Sequence, residues 1–506
     1  MKKLFSLESL KKFLKKKKIK KKNIILCHGV FDIIHIGHMQ HFKSAKNVNN
    51  DKKNFLIVTT TADKFINKGF GRPYFDQNIR LEALSNLEII DAVALSNQPS
   101  CLDVIKKLKP GYYIKGPDYK NNKNDKTGKI YLEKKTLEKL GGKIIYTNDD
   151  KFSSSKIINK TEMIFNDKQR EIFSKIKNKI NFREVDSQID KLKKLRVTVL
   201  GELIFDEYYF GNVVGKAGKE PHLVQVATHK ECYLGGSAAV ARNVSEFVKS
   251  VNLISFFGNE EKFEKILKEK LQKNITFRKF KPYQNFSSII KRRFIDLNSK
   301  YKLHGYYYIS DFDVNKNNKF IEKRLSLSKG GMLIVTDYAH NLISDKIIKK
   351  IKKKFSFIAV NAQLNSTNRG SHKIYKYYGV DLIIVNETEL RNELRDDVSD
   401  IVKISKQFLI KQKIKNLVIT RGSSGAILID SNRVYECPAF VSSSVDKVGA
   451  GDSMLSLISI CLKNKIDKNL CLLLGCYAGF ISVQHMANKE FIKKFQLKNF
   501  LEYSLE

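Results

Sequence analysis

The sequence predicts an α/β protein with two domains, each built on a parallel sheet. Apolar runs alternate with amphipathic stretches over residues 24–160, which is the pattern of successive strand–helix–strand units. A charged, helix-prone segment interrupts this alternation, which starts again at residues 196–201. A length of 506 residues also favours two or three domains. The predicted organisation is a basic segment at 1–22, a first domain at 23–160, a linker at 161–194 and a second domain at 195–506.

The first candidate site follows the first apolar strand, where a helix is predicted to begin. The strand ends at Gly29, and His35 and His38 stand on either side of Gly37. Gly37 would let the backbone approach phosphates, to which the helix N-terminus would offer N–H groups and a positive dipole end. Both imidazoles could donate hydrogen bonds to charge that builds on an α-phosphate under attack. Half of a metal site, or polar residues at a helix entrance, are the alternatives. The position after a buried-type strand favours a pocket for a nucleoside triphosphate.

This stretch resembles the cytidylyltransferase-like nucleotidyltransferases, whose signature is G-x-F-D followed by H-x-G-H. The resemblance extends over about 24–160 and includes segments at 58–63, 71–80, 113–119 and 152–157. It implies a Rossmann-like domain in which a phosphate oxygen attacks the α-phosphate of ATP or CTP and pyrophosphate leaves. It also implies that His35 and His38 are catalytic. The implied nucleotide-binding residues are Gly29, Phe31, Asp32, Gly37, Lys46, Asp63, Arg80, Lys115, Asp118, Ser153, Ser154 and Ser155.

The second candidate site is the turn formed by Gly449, Ala450 and Gly451, which precedes Asp452 and an apolar helical run. Such a turn points its N–H groups at one place, with the helix dipole behind them, and so predicts a phosphate or oxyanion cradle. Asp452 could take a proton from a substrate hydroxyl as that hydroxyl attacks a γ-phosphate. An N-cap aspartate after a glycine turn is the alternative.

The chain from about Leu195 onwards resembles the ribokinase-like (PfkB) carbohydrate kinases, whose signature is D-T-x-G-A-G-D. Lys447 replaces the threonine of that signature, and Ala239 replaces the first asparagine of the G-G-A-x-N-V-A-x-N motif. The resemblance implies a ribokinase-like α/β domain with a small β lid, which residues 223–226 would join and through which a homodimer would form. It implies that Asp452 is the catalytic base. The implied nucleotide-binding residues are Asn386, Glu389, Thr420, Gly422, Gly449, Ala450 and Gly451, with Glu389 supporting Mg²⁺ indirectly, and the implied sugar-binding residues are Asp206, Gly235, Gly236 and Asn243.

Together the two resemblances imply a bifunctional, Mg²⁺-dependent transferase that makes a nucleotide-activated sugar from sugar phosphates and nucleoside triphosphates. Lys291 and Arg293 are candidates for binding the phosphate of the acceptor, with an ordinary exposed strand edge as the alternative. The pair of domains resembles the bifunctional enzymes of ADP-heptose synthesis, with the domain order reversed. A CTP-dependent cytidylyltransferase for another phosphosugar or polyol phosphate, fused to a sugar kinase, is the alternative.

The formal net charge of +41 suggests a different class, the nucleic-acid-binding proteins. Lysine is abundant along the whole chain and is not confined to one stripe, so we do not expect nucleic acid as a partner. The lysine-rich run at 11–22 predicts a solvated amphipathic helix or a frayed arm. A basic arm that concentrates anionic substrates, or contacts RNA or a membrane, is the alternative.

The number and spacing of the cysteines indicate the redox state of the cellular compartment. Seven cysteines are scattered without a C-x-x-C pair, which is typical of a reducing cytosol and excludes a disulfide framework. The basic N-terminus lacks the apolar run of a signal peptide, and the apolar stretches are too short or too charged to span a bilayer. We therefore expect a cytoplasmic protein without membrane insertion.

Overall fold

The computed structural model describes residues 3–66, 73–116, 129–147, 166–277, 287–309, 314–363, 374–440 and 444–505. The chain forms two compact units, Met1–Ile164 and Phe165–Glu506. Among the described residues, every helix is too short or too polar to cross a membrane.

The first unit is a six-stranded parallel sheet with a hydrophobic core on each face. The strands are β1 (Leu4–Phe5), β2 (Ile24–Gly29), β3 (Phe55–Thr61), β4 (Ala92–Ser96), β5 (Tyr112–Lys115) and β6 (Lys143–Tyr146). The helices are α1 (Leu7–Lys16), α2 (Ile36–Lys46), α3 (Gln77–Ser85), α4 (Leu102–Leu108) and α5 (Lys129–Lys139). Ile24 and Leu26 point into the core that holds α1 and α4, whereas Ile25 and Cys27 point into the core that holds α2 and α3. Each face of the sheet is thus covered, as the continuous apolar run of β2 requires.

The strand order places a ligand crevice in this unit. The order is β1-β4-β3-β2-β5-β6, so β3 and β4 lie on one side of β2, and β5 and β6 lie on the other. Ligands of open parallel sheets bind beyond the carboxyl ends of the strands at such a reversal. The crevice is therefore expected after Gly29 of β2 and Lys115 of β5.

The basic segment at 1–22 is part of the first unit. β1 pairs in parallel with β4, and α1 is an amphipathic helix with Leu10 and Leu14 buried. The ring of Phe13 contacts the rings of Phe5 and Phe55. The lysines of α1 are exposed, so the segment forms the predicted solvated amphipathic helix rather than a frayed arm.

The second unit contains a large sheet and a small one. Its strands are β7 (Arg196–Gly201), β8 (Leu203–Lys216), β9 (Leu223–Gly236), β10 (Ser250–Ile254), β11 (Ile275–Phe277), β12 (Ile289–Asp296), β13 (Lys302–Tyr308), β14 (Met332–Asp337), β15 (Phe357–Ala362), β16 (Leu382–Asn386), β17 (Asn416–Thr420), β18 (Ala426–Ile429) and β19 (Val434–Cys437). The nine-stranded sheet has the order β11-β10-β7-β14-β15-β16-β17-β18-β19. Its strands pair in parallel, except that β18 pairs antiparallel with both β17 and β19. The four-stranded sheet, β13-β12-β8-β9, is called the lid below.

The helices of the second unit complete an α/β fold. They are α6 (Asp167–Lys177), α7 (Phe182–Lys191), α8 (Ser237–Ser245), α9 (Glu261–Lys270), α10 (Val314–Leu327), α11 (Asp345–Lys354), α12 (Glu387–Leu394), α13 (Ile401–Gln412), α14 (Ala450–Lys463), α15 (Lys468–Val483) and α16 (Lys494–Leu505). The predicted α/β class is confirmed, and residues 223–226 lie in β9 of the lid as expected.

Residues 166–194, which the sequence suggests as a linker, fold as helices of the second unit. Asn166 and Asn181 each begin a helix with a capping box, in which side chain and backbone exchange hydrogen bonds. The buried ring of Phe173 lies 6.0 Å from the ring of Phe440 and 6.0 Å from that of Phe500. Lys498 pairs with Asp186 at 2.5 Å. This segment therefore packs against α16, although its charged composition predicts a linker.

We predict that Phe173→Ala lowers the free energy of unfolding of the second unit by about 3–5 kcal/mol, because it leaves a cavity between α6 and α16. Urea-induced unfolding of the full chain measures this. Ser174→Ala, an exposed neighbour on the same helix, is the control and should unfold like the wild type. Equal unfolding midpoints for the two variants would mean that α6 contributes no packing to this unit.

Candidate active sites

The two histidines of the first site lie together at the start of α2. His35 is the N-cap residue, and its Nδ1 accepts a hydrogen bond from the Gly37 N–H at 3.2 Å. The rings of His35 and His38 stack with 3.9 Å between their centroids. The ring of Phe31 lies edge-on to His38 at 5.3 Å. The structure thus brings both predicted catalytic histidines to the carboxyl end of β2, where the strand order places the crevice.

The loop between β2 and α2 has a fixed shape. Phe31 adopts a left-handed backbone, with φ of +49°, and packs against Phe42 of α2. A Cβ atom at Gly29 would lie 3.0 Å from the Phe31 ring, so the tight loop favours glycine there. The buried carboxylate of Asp32 accepts a hydrogen bond from the Phe75 N–H at 3.0 Å. These residues of the G-x-F-D signature therefore shape the loop that presents His35 and His38.

Arg80 has a different role from the nucleotide contact that the resemblance implies. Its side chain is fully buried, and all five of its N–H groups have protein acceptors. The acceptors are the carbonyls of Phe75, Val30 and Thr61, the hydroxyl of Thr60 and the carboxylate of Asp63. Arg80 therefore fixes the loops after β2 and β3, and Asp63, at 2.6 Å from its guanidinium, is part of that framework.

Lys46 also lies away from the predicted phosphate site. It is the last residue of α2, about 15 Å along the helix from the histidines at its start. Its ammonium pairs with the carboxylate of Asp91. The structure therefore separates Lys46 from the crevice, which the sequence pattern alone does not reveal.

Lys115 and His28 place charge and polarity at the crevice. Lys115 ends β5, is buried, and lies 4.0 Å from a carboxylate oxygen of Glu133. Burial and the charge of Lys115 lower the pKa of His28 to about 3, so its imidazole is neutral at pH 7. Its Nδ1 lies 2.9 Å from the hydroxyl of Thr59. His28 immediately precedes Gly29, and the G-x-F-D and H-x-G-H signature gives it no role. Asp118, Ser153, Ser154 and Ser155 lie outside the described residues.

The second site is a cavity of about 880 Å³ between the lid and the nine-stranded sheet, called the lid cavity below. Predicted residues that line it are Asp206, Gly236, Lys291, Arg293, Asn386, Glu389, Gly449, Gly451 and Asp452. Residues that line it without having been predicted include Lys300, Lys302, Tyr307, Tyr338, Asn361 and Gln363. In this second group, Lys302 and Tyr307 lie in β13 and Asn361 lies in β15, whereas Tyr338 and Gln363 directly follow β14 and β15.

The glycine turn and Asp452 form one end of the lid cavity. Gly449 has a φ of +91°, and a Cβ atom there would lie 2.2 Å from Oδ1 of Asn488, so this position requires glycine. Gly449 is the N-cap of α14, which makes Asp452 the third residue of the helix. Its carboxylate accepts a hydrogen bond from the Tyr338 hydroxyl at 2.9 Å. The N-cap alternative for Asp452 is therefore wrong.

The environment of Asp452 suits a general base. Burial raises the pKa of Asp452 to about 7; the Tyr338 hydrogen bond opposes this, Asp206 adds to it, and Lys291 also opposes it. A carboxylate with a pKa near neutrality combines a useful deprotonated fraction at pH 7 with a strong affinity for a proton.

Asp206 and the two basic residues of β12 form the side of the cavity that the lid contributes. Arg293 pairs with Asp206 at 2.6 Å. A Cβ atom at Gly235 would lie 2.2 Å from Oδ2 of Asp206, so Gly235 acts by leaving room for that carboxylate. Lys291 is only 7% exposed and has no hydrogen bond within the described part of the chain, which excludes the exposed strand edge. Its pKa is lowered by burial, against the opposing charge of Asp206.

Five predicted residues of the second unit do not line the lid cavity: Gly235, Asn243, Thr420, Gly422 and Ala450. Asn243 uses its amide within the fold: it donates to the Ser453 hydroxyl at 3.2 Å and accepts from the Ile492 N–H at 3.0 Å. It therefore joins α8 to α14 rather than reaching a sugar. Thr420 and Gly422 lie where β17 turns towards β18, and Ala450 is the first residue of α14.

Glu389 is placed in the cavity by a capping box. The Asn386 side chain accepts from the Glu389 N–H at 2.7 Å, and the Glu389 carboxylate accepts from the Asn386 N–H at 2.7 Å. No group of three or more His, Cys, Asp or Glu side chains in the described segments could hold a metal ion by itself. The single carboxylate of Glu389 still fits Mg²⁺, because this ion is commonly held by one or two carboxylates together with water and substrate phosphates.

The lid is fastened to the loop that precedes the glycine turn. The buried carboxylate of Asp446 lies 2.5 Å from the ammonium of Lys302 on β13 and accepts from the Tyr208 hydroxyl of β8 at 2.8 Å. It also accepts from the Val448 N–H at 3.1 Å. Although burial acts to raise the pKa of Asp446, Lys302 and the Val448 N–H bring it below its usual value. One carboxylate thus links the lid to the loop that precedes the glycine turn.

Comparison with known proteins agrees with this geometry. A protein from Koribacter versatilis named "Bifunctional protein HldE" is 23% identical over 309 residues, which cover 60% of this chain and 63% of that protein. A protein of the same name from Helicobacter hepaticus is 36% identical over 137 residues, which cover 27% of each chain. The match therefore spans less than two thirds of either relative.

A solved structure agrees in fold. Phosphofructokinase-2 from Escherichia coli, crystallised with potassium, is 15% identical and superposes with a TM-score of 0.50, over 62% of this chain and 99% of that one. Residues 26–160 match the cytidylyltransferase-like family, and residues 194–493, more than half of the chain, match the pfkB family carbohydrate kinases. The chain therefore belongs to the pfkB family of carbohydrate kinases and carries a cytidylyltransferase-like domain ahead of the kinase domain.

Proposed function

We propose that this chain makes a nucleotide-activated sugar of the ADP-heptose type by two reactions, one in each unit. The observation that carries this proposal is the lid cavity, in which a carboxylate at the start of α14 faces two basic residues of β12. The stacked histidines of the first unit add a second phosphate-chemistry site. The relatives named "Bifunctional protein HldE" support two activities on one chain.

In the kinase reaction the acceptor is a sugar phosphate. Asp452 takes the proton of an acceptor hydroxyl, whose oxygen forms a bond to the γ-phosphorus of ATP while the bond to the β,γ-bridging oxygen breaks and ADP leaves. N–H groups at the start of α14 stabilise the charge on the transferred group. Glu389, together with the nucleotide phosphates, would help to hold Mg²⁺, which would supply charge neutralisation on the nucleotide.

The charges of the lid cavity favour a phosphorylated acceptor. Arg293 is balanced by Asp206, and Lys302 by Asp446. Lys291 remains as a buried ammonium without a hydrogen bond among the described residues. A buried cation without a close anionic partner is costly, and a phosphate dianion of the substrate would supply that partner.

In the transferase reaction the nucleophile is an oxygen of a sugar 1-phosphate. It attacks the α-phosphorus of ATP in line, and pyrophosphate leaves. His35 and His38 donate hydrogen bonds to the charge on the α-phosphate, and Lys115 neutralises phosphate charge at the end of β5. No protein nucleophile is required, because positioning and charge stabilisation are enough.

The exposed apolar side chains of the lid support a homodimer. Strands β8 and β9 of the lid expose the apolar side chains of Val214, Leu223 and Val226, the last of which is 57% exposed. An apolar patch of this kind is typical of an interface.

All seven cysteines are free, and six of them are buried, which agrees with a reducing compartment.

Asp452→Asn should abolish phosphoryl transfer to a sugar phosphate and leave pyrophosphate release unchanged, because only the kinase loses its base. His38→Ala should abolish pyrophosphate release and leave ADP formation unchanged. Coupled assays for ADP and for pyrophosphate on the two full-length variants measure this. Each variant serves as the control for the other, and loss of both activities in either one would contradict the assignment of two separate sites.

Lys302→Met should reduce kinase kcat/KM roughly tenfold and raise the ratio of ATP hydrolysis to sugar phosphorylation, because a loosened lid admits water. Lys230→Met, an exposed lid residue outside the cavity, is the matched control and should retain the wild-type ratio. ADP and phosphorylated sugar are quantified in parallel. Identical ratios for the two variants would show that the Asp446 contact does not govern water exclusion.

A further inference from the structure

Asp452 is held by a single side chain across the lid cavity. The Tyr338 hydroxyl donates to Oδ1 of Asp452 at 2.9 Å. The other oxygen, Oδ2, has no hydrogen-bond partner among the described residues. Because one oxygen is occupied by a donor, the carboxylate has a defined orientation and only Oδ2 is left to receive a proton.

Tyr338 is itself held rigidly at the end of β14. Its N–H donates to Oε2 of Glu202 at 3.0 Å, and its ring is 3% exposed. The neighbouring Asp337 accepts from the Tyr377 hydroxyl at 2.6 Å and pairs with Lys376 at 2.5 Å. Burial raises the pKa of Tyr338 well above its usual value, so the phenol keeps its proton and remains a donor.

We infer that Tyr338 is a positioning residue of the kinase reaction, which orients the Asp452 carboxylate so that Oδ2 faces the acceptor hydroxyl. The inference rests on the proposed kinase function and assigns to Tyr338 a role that the glycine-turn motif does not contain. The acceptor proton moves to Oδ2 of Asp452, and the phenolic proton stays on Tyr338 throughout. Tyr338 therefore acts through Asp452 and transfers no proton itself.

The same hydrogen bond sets the pH at which Asp452 works. The charged and titratable groups that face Asp452 are Tyr338 from the end of β14, Asp206 from β8 and Lys291 from β12. The phenol stabilises the ionised carboxylate and so lowers its pKa, against the effects of burial and Asp206. Removing the hydroxyl should raise the pKa of Asp452, so that a larger fraction of the enzyme carries a protonated, inactive base at pH 7.

Tyr338→Phe tests this role, with Tyr307→Phe as the matched control. Tyr307 lines the same cavity, lies 5.7 Å from the Lys291 ammonium by its ring centroid, and makes no hydrogen bond to Asp452. We expect Tyr338→Phe to reduce kcat/KM for the sugar phosphate about tenfold at pH 7 and to move the acidic limb of its pH profile upward by about one pH unit. Tyr307→Phe should keep the wild-type limb.

A second substitution covers the case in which Tyr338→Phe fails to fold. 3,5-Difluorotyrosine at position 338 keeps the shape of the side chain but makes the hydroxyl a stronger donor, so the acidic limb should move downward. If the limb stays in place in both proteins, or moves equally in Tyr307→Phe, the inference is wrong. Absence of phosphoryl transfer in the wild type would instead contradict the proposed function, and an active wild type with inactive Asp452→Asn keeps that function intact.

Discussion

Parallel strands deliver the residues that follow them to one edge of a sheet, and both sites depend on this constraint. In the second unit, Tyr338 follows β14, Gln363 follows β15, and Asn386 ends β16, and all three line the lid cavity. Residues distant in the chain thereby face one cavity. The lid closes the opposite side, because β8 and β12 bring Asp206, Lys291 and Arg293 over the same edge.

Within that cavity, the balance of charge decides which residues can react. Asp206 is paired with Arg293, and Asp446 with Lys302, so each of these carboxylates has a close cationic partner. Asp452 accepts its side-chain hydrogen bond from the phenol of Tyr338, forms no salt bridge among the described residues, and has a pKa near 7. The three aspartates therefore differ in the partner of the carboxylate, and this difference distinguishes Asp452, the proposed general base, from Asp206 and Asp446.

The fold class and the positions of both candidate sites could be predicted from the sequence, because each depends on a short, local pattern of residues. The alternation of apolar and amphipathic runs predicted the α/β class. The pattern around His35 predicted a strand-to-helix site, and the pattern around Asp452 predicted a glycine turn at the start of a helix. Prediction failed where a long side chain has a partner distant in the chain: Arg80 binds Val30 and Asp63, Lys46 binds Asp91, and Asn243 binds Ser453. The Tyr338–Asp452 contact and the packing of Phe173 on Phe500 could not be predicted for the same reason.

The most direct test of the central claim is a mass-spectrometric analysis of products formed by the full chain with ATP or CTP and a panel of sugar phosphates that includes a heptose 7-phosphate and a heptose 1-phosphate. We predict ADP with a bisphosphorylated sugar from the heptose 7-phosphate, and pyrophosphate with an ADP-sugar from the heptose 1-phosphate. Consumption of neither nucleotide with any phosphosugar would contradict the proposed function.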